Sequence, residues 1–430
     1  MQVQSLPGFR DFFPEEFALR RHIFEAWRRV ATRYGFEEWD GPPLEPLELY
    51  TAKSGAEIVG QLYAFEDKGG RNVALRPEMT PTLARMVATR ANGLKKPIRW
   101  FSIPQLFRYE RQQRGRLKEH FQLNVDLIGE PGPLADAEVI AVAIDAMREL
   151  GLTERDVRVR VSDRRVLTVL LNEVGFEEQH HAEAFQLLDK LGRGEYAGAR
   201  RALVDRGASE SAIARLETVK DVRVWADLET QFPAASGSGT ALRAVFDALG
   251  AMGLGDWLDL DLTIVRGLAY YTGTVFELFD ASYSLRAICG GGRYDNLLKA
   301  LGGVDLPALG FGMGDVVLSE LLKERGLVPS FEERLDVFLA AVTDEDVPHI
   351  LPLAHQLRDA GLRVEFPVGK SALGKQLKLA DARKARYAVV VGPDDRARGE
   401  VVLRDLSSGT QEAVATNQVA ETIEAWQNRR

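Results

Sequence analysis

The stretch from Leu106 to Gly129, LFRYERQQRGRLKEHFQLNVDLIG, concentrates charged side chains in a pattern that can do chemistry. Arg108 and Glu110 are two apart, so on a strand both point to one face. Downstream, Phe121, Leu123, Val125 and Leu127 alternate with Gln122, Asn124 and Asp126, the period-two pattern of a strand with one apolar and one polar face. Arg111, Arg114, Arg116 and Lys118 crowd the short connection around Gly115. The expected local structure is an antiparallel hairpin with a cation and carboxylates on its inner face and a positive tip. Such a face suits a zwitterionic amino acid and a nucleotide phosphate, because a guanidinium pairs with phosphate bidentately. A salt-bridged hairpin without a ligand is the competing reading, and this stretch alone leaves both open.

Three more stretches carry candidates. Glu78 precedes a helical segment, where a carboxylate is favoured electrostatically; a simple cap is the alternative. Arg266 stands in an apolar segment that ends in Tyr270 and Tyr271; it can serve an anion or pair with a core carboxylate. Cys289-Gly290-Gly291-Gly292-Arg293-Tyr294 is expected to follow a strand over 283–288 and to open a helix, a place that can attract an anion and is also simply a tight turn.

The positioning elements follow from periodicity. Ile23, Trp27, Val30 and Tyr34 form one apolar face of a helix over about 16–34, stopped at Gly35. A helix is expected over 135–150 and a strand over 157–161. Residues 163–255 read as amphipathic helix with polar breaks, including a flexible connection at Ser236-Gly237-Ser238-Gly239. His180 and His181 are adjacent, which suits surface histidines better than two ligands on one helix face. After a linker over 326–334, apolar runs alternate with helical patterns, predicting a small α/β domain with a mixed or parallel sheet. Its helix over 371–385 carries Lys375 and Lys378 in a cationic run, either a solvated face or an RNA footprint.

Composition limits the function. With 430 residues there is material for two or three domains. No run of about eighteen apolar residues exists, so no membrane helix is expected. Cys289 is the single cysteine, which excludes an intrachain disulfide and a cysteine-based zinc site and fits a cytoplasmic location. The net charge of -8 confines any RNA contact to local basic patches.

Phe107-Arg108-Tyr109-Glu110, the basic connection and the polar strand after it resemble motif two of the class II aminoacyl-tRNA synthetases; Phe121-Gln122 and Asp126 bring the resemblance nearest to the histidyl-tRNA synthetase family. Arg76-Pro77-Glu78-Met79-Thr80 is similar to that family's Arg-Pro-Glu-x-Thr, and Arg266-Gly267-Leu268-Ala269-Tyr270-Tyr271-Thr272-Gly273 to its histidine-specific signature, with Ala269 where the family has Asp. Gly290 to Asp295 matches the family's Gly-Gly-Gly-Arg-Tyr-Asp, and Leu309 to Leu318 stands at motif three, with Val317 in place of its Arg. The C-terminal part resembles the family's anticodon-binding domain.

The resemblance implies an α/β fold: an antiparallel class II catalytic sheet flanked by helices over 1–162 and 256–325, a helical insertion over 163–255, a linker over 326–334 and an anticodon-binding-like α/β domain over 335–430. It implies a ligase that activates L-histidine with ATP and Mg2+, without a protein cage for the metal, and transfers it to tRNA(His). Arg108, Glu110, Arg116 and Arg266 would hold ATP, with Arg108 and Arg266 acting in catalysis. Glu78, Thr80, Gln122, Asp126, Arg266, Tyr270, Tyr271 and Tyr294 would hold histidine. Arg111, Gln112, Arg114, Lys375 and Lys378 would face tRNA. The helix bearing Ile23, Trp27, Val30 and Tyr34, with the chain to Pro42, would build a homodimer interface. The alternatives are a non-catalytic paralogue, such as the regulatory subunit of ATP phosphoribosyltransferase, and a histidine-sensing or RNA-binding module.

Overall fold

The structure is a computed structural model, and it describes residues 4–51, 59–110, 115, 117–191, 196–266, 271–331 and 335–428. The chain divides into two compact units, Met1–Pro329 and Ser330–Arg430. Among the described residues no helix is long and apolar enough to cross a membrane.

The first unit is built on a sheet. Its strands in chain order are β1 (Glu37–Glu38), β2 (Leu44–Pro46), β3 (Ala64–Glu66), β4 (Asn72–Leu75), β5 (Ile98–Ser102), β6 (Gln105–Phe107), β7 (Glu119–Ile128), β8 (Val157–Asp163), β9 (Leu258–Leu260), β10 (Thr274–Asp280), β11 (Cys289–Arg293) and β12 (Ala308–Gly314). The large sheet runs β1-β5-β7-β12-β11-β10-β8-β9, with β6 on β7, and β2, β3 and β4 form a small separate sheet. The central pairs β5–β7–β12–β11–β10–β8 are all antiparallel.

Register divides the residues between the two faces, because paired residues point the same way and neighbours along a strand point opposite ways. Val125, Phe311, Gly291 and Phe276 lie in one cross-strand row. This apolar face packs on helix Pro133–Glu149, which is buried nearly all round. A Cβ on Gly291 would fall 2.6 Å from Phe311 Cβ, so only glycine lets Phe311 and Phe276 keep their edge contact. Arg293 ends the row of β11 and pairs with Asp136 on that helix (2.7 Å), both fully buried.

The first helix spans Pro14–Arg33, two residues earlier than its pattern starts, because Pro14 suits a first turn. Ile23, Trp27 and Val30 are fully buried, and Tyr34 donates its hydroxyl to Asp145 on helix Pro133–Glu149 (2.8 Å). Ile23, Trp27 and Val30 are thus spent inside this chain and offer no apolar surface to a second copy, while Tyr34 is half-buried. The dimer assignment to those three side chains is corrected on that ground.

Between β8 and β9 the chain is helical, as its amphipathic pattern predicts: Arg164–Val174, His181–Leu191, Ala197–Asp205, Glu210–Glu217, Trp225–Gln231, Pro233–Ser238 and Thr240–Ala251. Two local expectations fail here. Ser236 to Ser238 belong to a helix rather than a flexible connection, since Pro233 starts a turn that the serines continue. His180 is buried, its Nε2 3.2 Å from the Arg206 carbonyl oxygen.

The second unit has β13 (Val337–Ala341), β14 (Val364–Glu365), β15 (Tyr387–Val391), β16 (Glu400–Asp405) and β17 (Gln411–Ala415) in the order β14-β13-β15-β16-β17. The sheet is mixed: β13 is parallel to β14 and β15, and the rest is antiparallel. Helix Leu373–Ala382 is tied to β13 by buried Gln376, which bonds both the amide and the carbonyl of Ala341 (3.0 and 2.9 Å). Lys375 and Lys378 are exposed on it, away from the buried Gln376 and Ala380.

Candidate active site

The site is the second face of the large sheet. β7 contributes Gln122, Asn124 and Asp126; opposite them in register stand Gly314, Gly312 and Gly310 of β12. Gly312 and Gly310 pair in turn with Gly290 and Gly292 of β11, and these with Glu277 and Val275 of β10. Two adjacent strands therefore present only backbone on this face. The floor they make is bounded by Asp126 at one side and Glu277 at the other. Strands lie about 4.8 Å apart, so three spacings leave about 14 Å between those bounding strands.

The glycines are required by what lies over them. A Cβ on Gly310 would sit 2.4 Å from Asp126 Oδ1, one on Gly312 2.6 Å from the Gln122 carboxamide, and one on Gly290 2.0 Å from Arg266 Nη1. The glycine run is thus a central strand rather than the start of a helix, and 283–288 is the turn before it. That expectation is corrected: glycine was placed there for close approach across a sheet, and the next helix begins only at Leu297.

Asp126 is buried and accepts a short hydrogen bond from the Tyr294 hydroxyl, itself buried. Burial pushes the Asp126 carboxyl up to about 7, against the opposing effect of the Tyr294 hydrogen bond. At the other side Arg266 Nη1 donates to Glu277 Oε1 at 2.5 Å, and its guanidinium carbon lies 6.0 Å from the Tyr271 ring centre. Arg266 has φ +58, a left-handed backbone that costs a long side chain about 1–3 kcal/mol. The core-carboxylate pairing weighed for this arginine does occur, and the carboxylate itself belongs to the floor.

The other arm comes from the segment after β6. That strand stops at Phe107, but the Arg108 amide still donates to the Lys118 carbonyl (2.9 Å), which continues the hairpin. Arg108 Nε donates to the Pro77 carbonyl (2.9 Å), joining the hairpin to the segment that carries Glu78. Arg76, buried beside it, bonds the Gln105 carbonyl (2.9 Å) and Asp40 (2.7 Å). Glu78 is buried, and the cap position of helix Thr80–Arg90 is taken by Met79, with no side-chain cap bond; Thr80 opens the helix. The N-terminal segment braces the hairpin from behind. Lys118 donates its amide to the Gly8 carbonyl (2.9 Å), and Arg10 bonds Glu119 (2.6 Å) and Asp315 (2.8 Å).

The structure therefore gathers Gln122, Asp126, Tyr294, Arg266 and Tyr271 around one floor, and links Arg108 to the segment of Glu78 and Thr80. Glu110 follows Arg108 in the hairpin. Arg111, Gln112, Arg114, Arg116 and Tyr270 lie outside the described residues. Lys375 and Lys378 belong to the second unit. Asn124, already on the polar face of its strand in the sequence, and Glu277 were not among the expected site residues; counting every second residue along β7 and β10 finds both, once β10 is known to share the sheet. Val317 is nearly buried on helix Asp315–Glu324 and brings no charge. Among the described residues there is no group of three or more His, Cys, Asp or Glu side chains placed to hold a metal ion.

Comparison with known proteins matches this arrangement to a family. The family model described as Histidyl-tRNA synthetase matches residues 8–315, and the one described as Anticodon binding domain matches residues 336–426. A relative from Opitutus terrae, named Histidine--tRNA ligase, is 45% identical over 426 residues, 98% of each chain. The Arabidopsis thaliana protein named Histidine--tRNA ligase, chloroplastic/mitochondrial, is 41% identical over 96% of this chain and 85% of its own. The crystal structure of histidyl-tRNA synthetase from Nostoc sp. PCC 7120 superposes with a TM-score of 0.80 at 27% identity, covering 99% of each chain.

Proposed function

The chain belongs to the histidyl-tRNA synthetase family, and from that premise we propose how its residues join histidine to tRNA(His). The histidine carboxylate oxygen attacks the α-phosphorus of ATP. The bond from that phosphorus to the bridging oxygen breaks, pyrophosphate leaves, and histidyl-adenylate remains. A ribose hydroxyl of the tRNA then attacks the carbonyl carbon and releases AMP. No protein nucleophile is needed; positioning and charge stabilisation do the work.

One observation carries this reading: a carboxylate fixed by a tyrosine, and a guanidinium fixed by a carboxylate, bound a floor of bare backbone. Imidazole carries polar atoms on two sides, so Asp126 with Tyr294 selects it and leaves an unpaired acceptor for an apolar competitor. Gln122 and Tyr271 complete the pocket, and Glu78 with Thr80 receives the α-ammonium group. Arg266 and Arg108 bear on the α-phosphate, where negative charge grows during attack. Glu110 helps place adenine. Arg116 meets the outer phosphates, and Tyr270 closes the histidine side. Magnesium would enter with ATP, as is usual for an ion that keeps its waters; it would supply positive charge, and no protein cage is assigned to it.

The proposal extends to the remaining expectations. The catalytic part comprises 1–162 and 256–325, with 163–255 inserted, 326–334 linking and 335–430 reading the anticodon side. Arg111, Gln112 and Arg114 at the hairpin tip, with Lys375 and Lys378, contact tRNA, and the protein acts in the cytoplasm. It works as a homodimer whose surface draws on exposed apolar side chains such as Leu44 and Phe65 of the small sheet, not on the buried helix stripe. The regulatory-subunit alternative is not favoured, since full-length relatives are ligases by name.

Exchange of labelled pyrophosphate into ATP tests the core of this reading. The wild-type protein is expected to catalyse it only with histidine present. Arg266→Ala should lower the rate about a hundred- to a thousandfold. Exchange that ignores histidine, or an Arg266→Ala protein with unchanged rate, refutes it.

A further inference from the structure

Val317 puts an isopropyl group on the helix beside Gly115, and an isopropyl group cannot hold an anion. A second cation reaches the same spot from elsewhere. A Cβ placed on Gly115, the described residue within that connection, would lie 3.3 Å from Val317 Cγ2 and 3.6 Å from Arg286 Cδ. The two side chains therefore meet over one glycine, although 31 positions separate them in sequence by their numbers. Nε is the next atom beyond Cδ, so the Arg286 guanidinium starts close to Gly115.

The sheet brings the two together. β11 pairs with β12, with Cys289 opposite Met313, and the Gly314 amide donates to the Ile288 carbonyl at 3.1 Å. Arg286 is two residues before Ile288, and Val317 is three after Gly314. The turn that carries Arg286 is firmly held. Asp280, fully buried, accepts bonds from the Leu285 amide (2.8 Å), the Ser284 amide (3.1 Å) and the Ser284 hydroxyl (3.1 Å), and another from the Ser282 hydroxyl. Those bonds hold Tyr283 at φ +55, a conformation that a bulky side chain avoids without such support. Leu285 is buried immediately before Arg286, which is itself exposed. A long cationic side chain thus leaves a firmly held turn, and its Cδ lies beside Gly115 and Val317.

We propose that Arg286 binds the outer phosphates of ATP, acting from the β10–β11 turn at the place where the helix after β12 offers only Val317. The inference rests on the ATP-dependent reading above. A guanidinium fork matches two phosphate oxygens at once, and its anchored turn removes much of the ordering cost. Arg266 and Arg108 then serve the α-phosphate, and Arg286 joins Arg116 at the outer phosphates that leave as pyrophosphate.

The test uses the full-length protein and two readouts. The first is histidine-dependent pyrophosphate exchange with ATP and histidine varied separately; the second is equilibrium binding of a labelled, non-hydrolysable ATP analogue. Arg286→Ala should weaken the analogue and raise KM for ATP about ten- to a hundredfold, the usual loss for a charge-assisted bond. KM for histidine and the melting temperature should stay at wild-type values. Arg286→Lys should recover part of the loss, because a point charge replaces only part of the fork. Unchanged analogue binding in Arg286→Ala overturns the proposal, as does a loss shared equally by both substrates together with a lower melting temperature. If the wild-type protein exchanges no pyrophosphate, the ligase reading falls, and the analogue binding still decides the role of Arg286.

Discussion

Asp126 is a residue whose chemistry depends strongly on its surroundings. Burial raises its carboxyl to about 7, with the Tyr294 bond acting in the other direction. Its folded-state pKa lies above the ordinary value of about 4. The proton therefore stabilises the fold fully below that ordinary value, and this contribution is lost as pH rises toward about 7. Binding follows the opposite trend, because the ionised form is the stronger, charge-assisted acceptor for an imidazole N–H. We expect kcat/KM for histidine to rise as pH passes through about 7. Histidine itself titrates near 6.5, so Asp126→Asn is the control: the protein's share of that rise should vanish in it. Identical pH profiles for both proteins would remove Asp126 from the pocket. Arg266 carries a second lesson. Because Arg266 pairs with the nearly buried Glu277, Arg266→Ala should also lower stability, by about 2 kcal/mol for the carboxylate left unpaired. Arg266→Lys keeps a cation there, so its melting temperature should stay near wild type while exchange remains impaired.

Among the elements, β11 and β12 do the most for the least side chain. Gly290, Gly292, Gly310 and Gly312 each make room for a named group, and the tightest case on β12 is Gly310, 2.4 Å from Asp126 Oδ1 by its missing Cβ. Gly310→Ala must displace either that carboxylate or the Val125 carbonyl, which lies 2.5 Å from the same point. Overpacking of this kind costs about 1–3 kcal/mol. The expected outcome is a lower melting temperature and a KM for histidine raised more than the KM for ATP; equal changes in both would show general damage to the sheet. Helix Leu373–Ala382 is a simpler element. Its buried face is fixed by Gln376, which leaves Lys375 and Lys378 to solvent. Replacing both with Glu should weaken tRNA binding and flatten its dependence on salt, with histidine activation unchanged. Wild-type affinity and slope would discard this footprint.

At the scale of the whole molecule, net charge and assembly matter. A net charge of -8 opposes RNA in general, so the protein depends on the few basic surfaces already named. Ile23, Trp27 and Val30 are used up inside the chain, so the proposed homodimer is expected to draw on other surfaces, such as the small sheet. Sedimentation at working concentration should give twice the 47.7 kDa chain mass. Leu44→Glu with Phe65→Glu should shift the protein to monomer, whereas a dimer that survives both changes needs another interface.

Much of this was legible in the residues. Period two marked β7, helical periodicity marked Pro14–Arg33 and the inserted helices, and alternation of apolar runs marked the C-terminal unit. Arg108 and Asp126 stood out by two-residue spacing along a strand, Glu78 by its place just before a helix, and Arg266 by its apolar neighbours. The residues alone did not show which glycines form a floor: a glycine run reads as a turn until the strands on either side of it are known, and pairing is a long-range choice that local preference does not make. They did not show that Glu277 holds Arg266, or that the helix stripe is covered by Pro133–Glu149, since either fact needs two distant segments placed together. The meeting of Arg286 and Val317 over Gly115 is of the same kind. Local sequence determines where a strand or helix forms; which side chains share a site is decided when the sheet closes, because only then does each residue acquire a face and a neighbour.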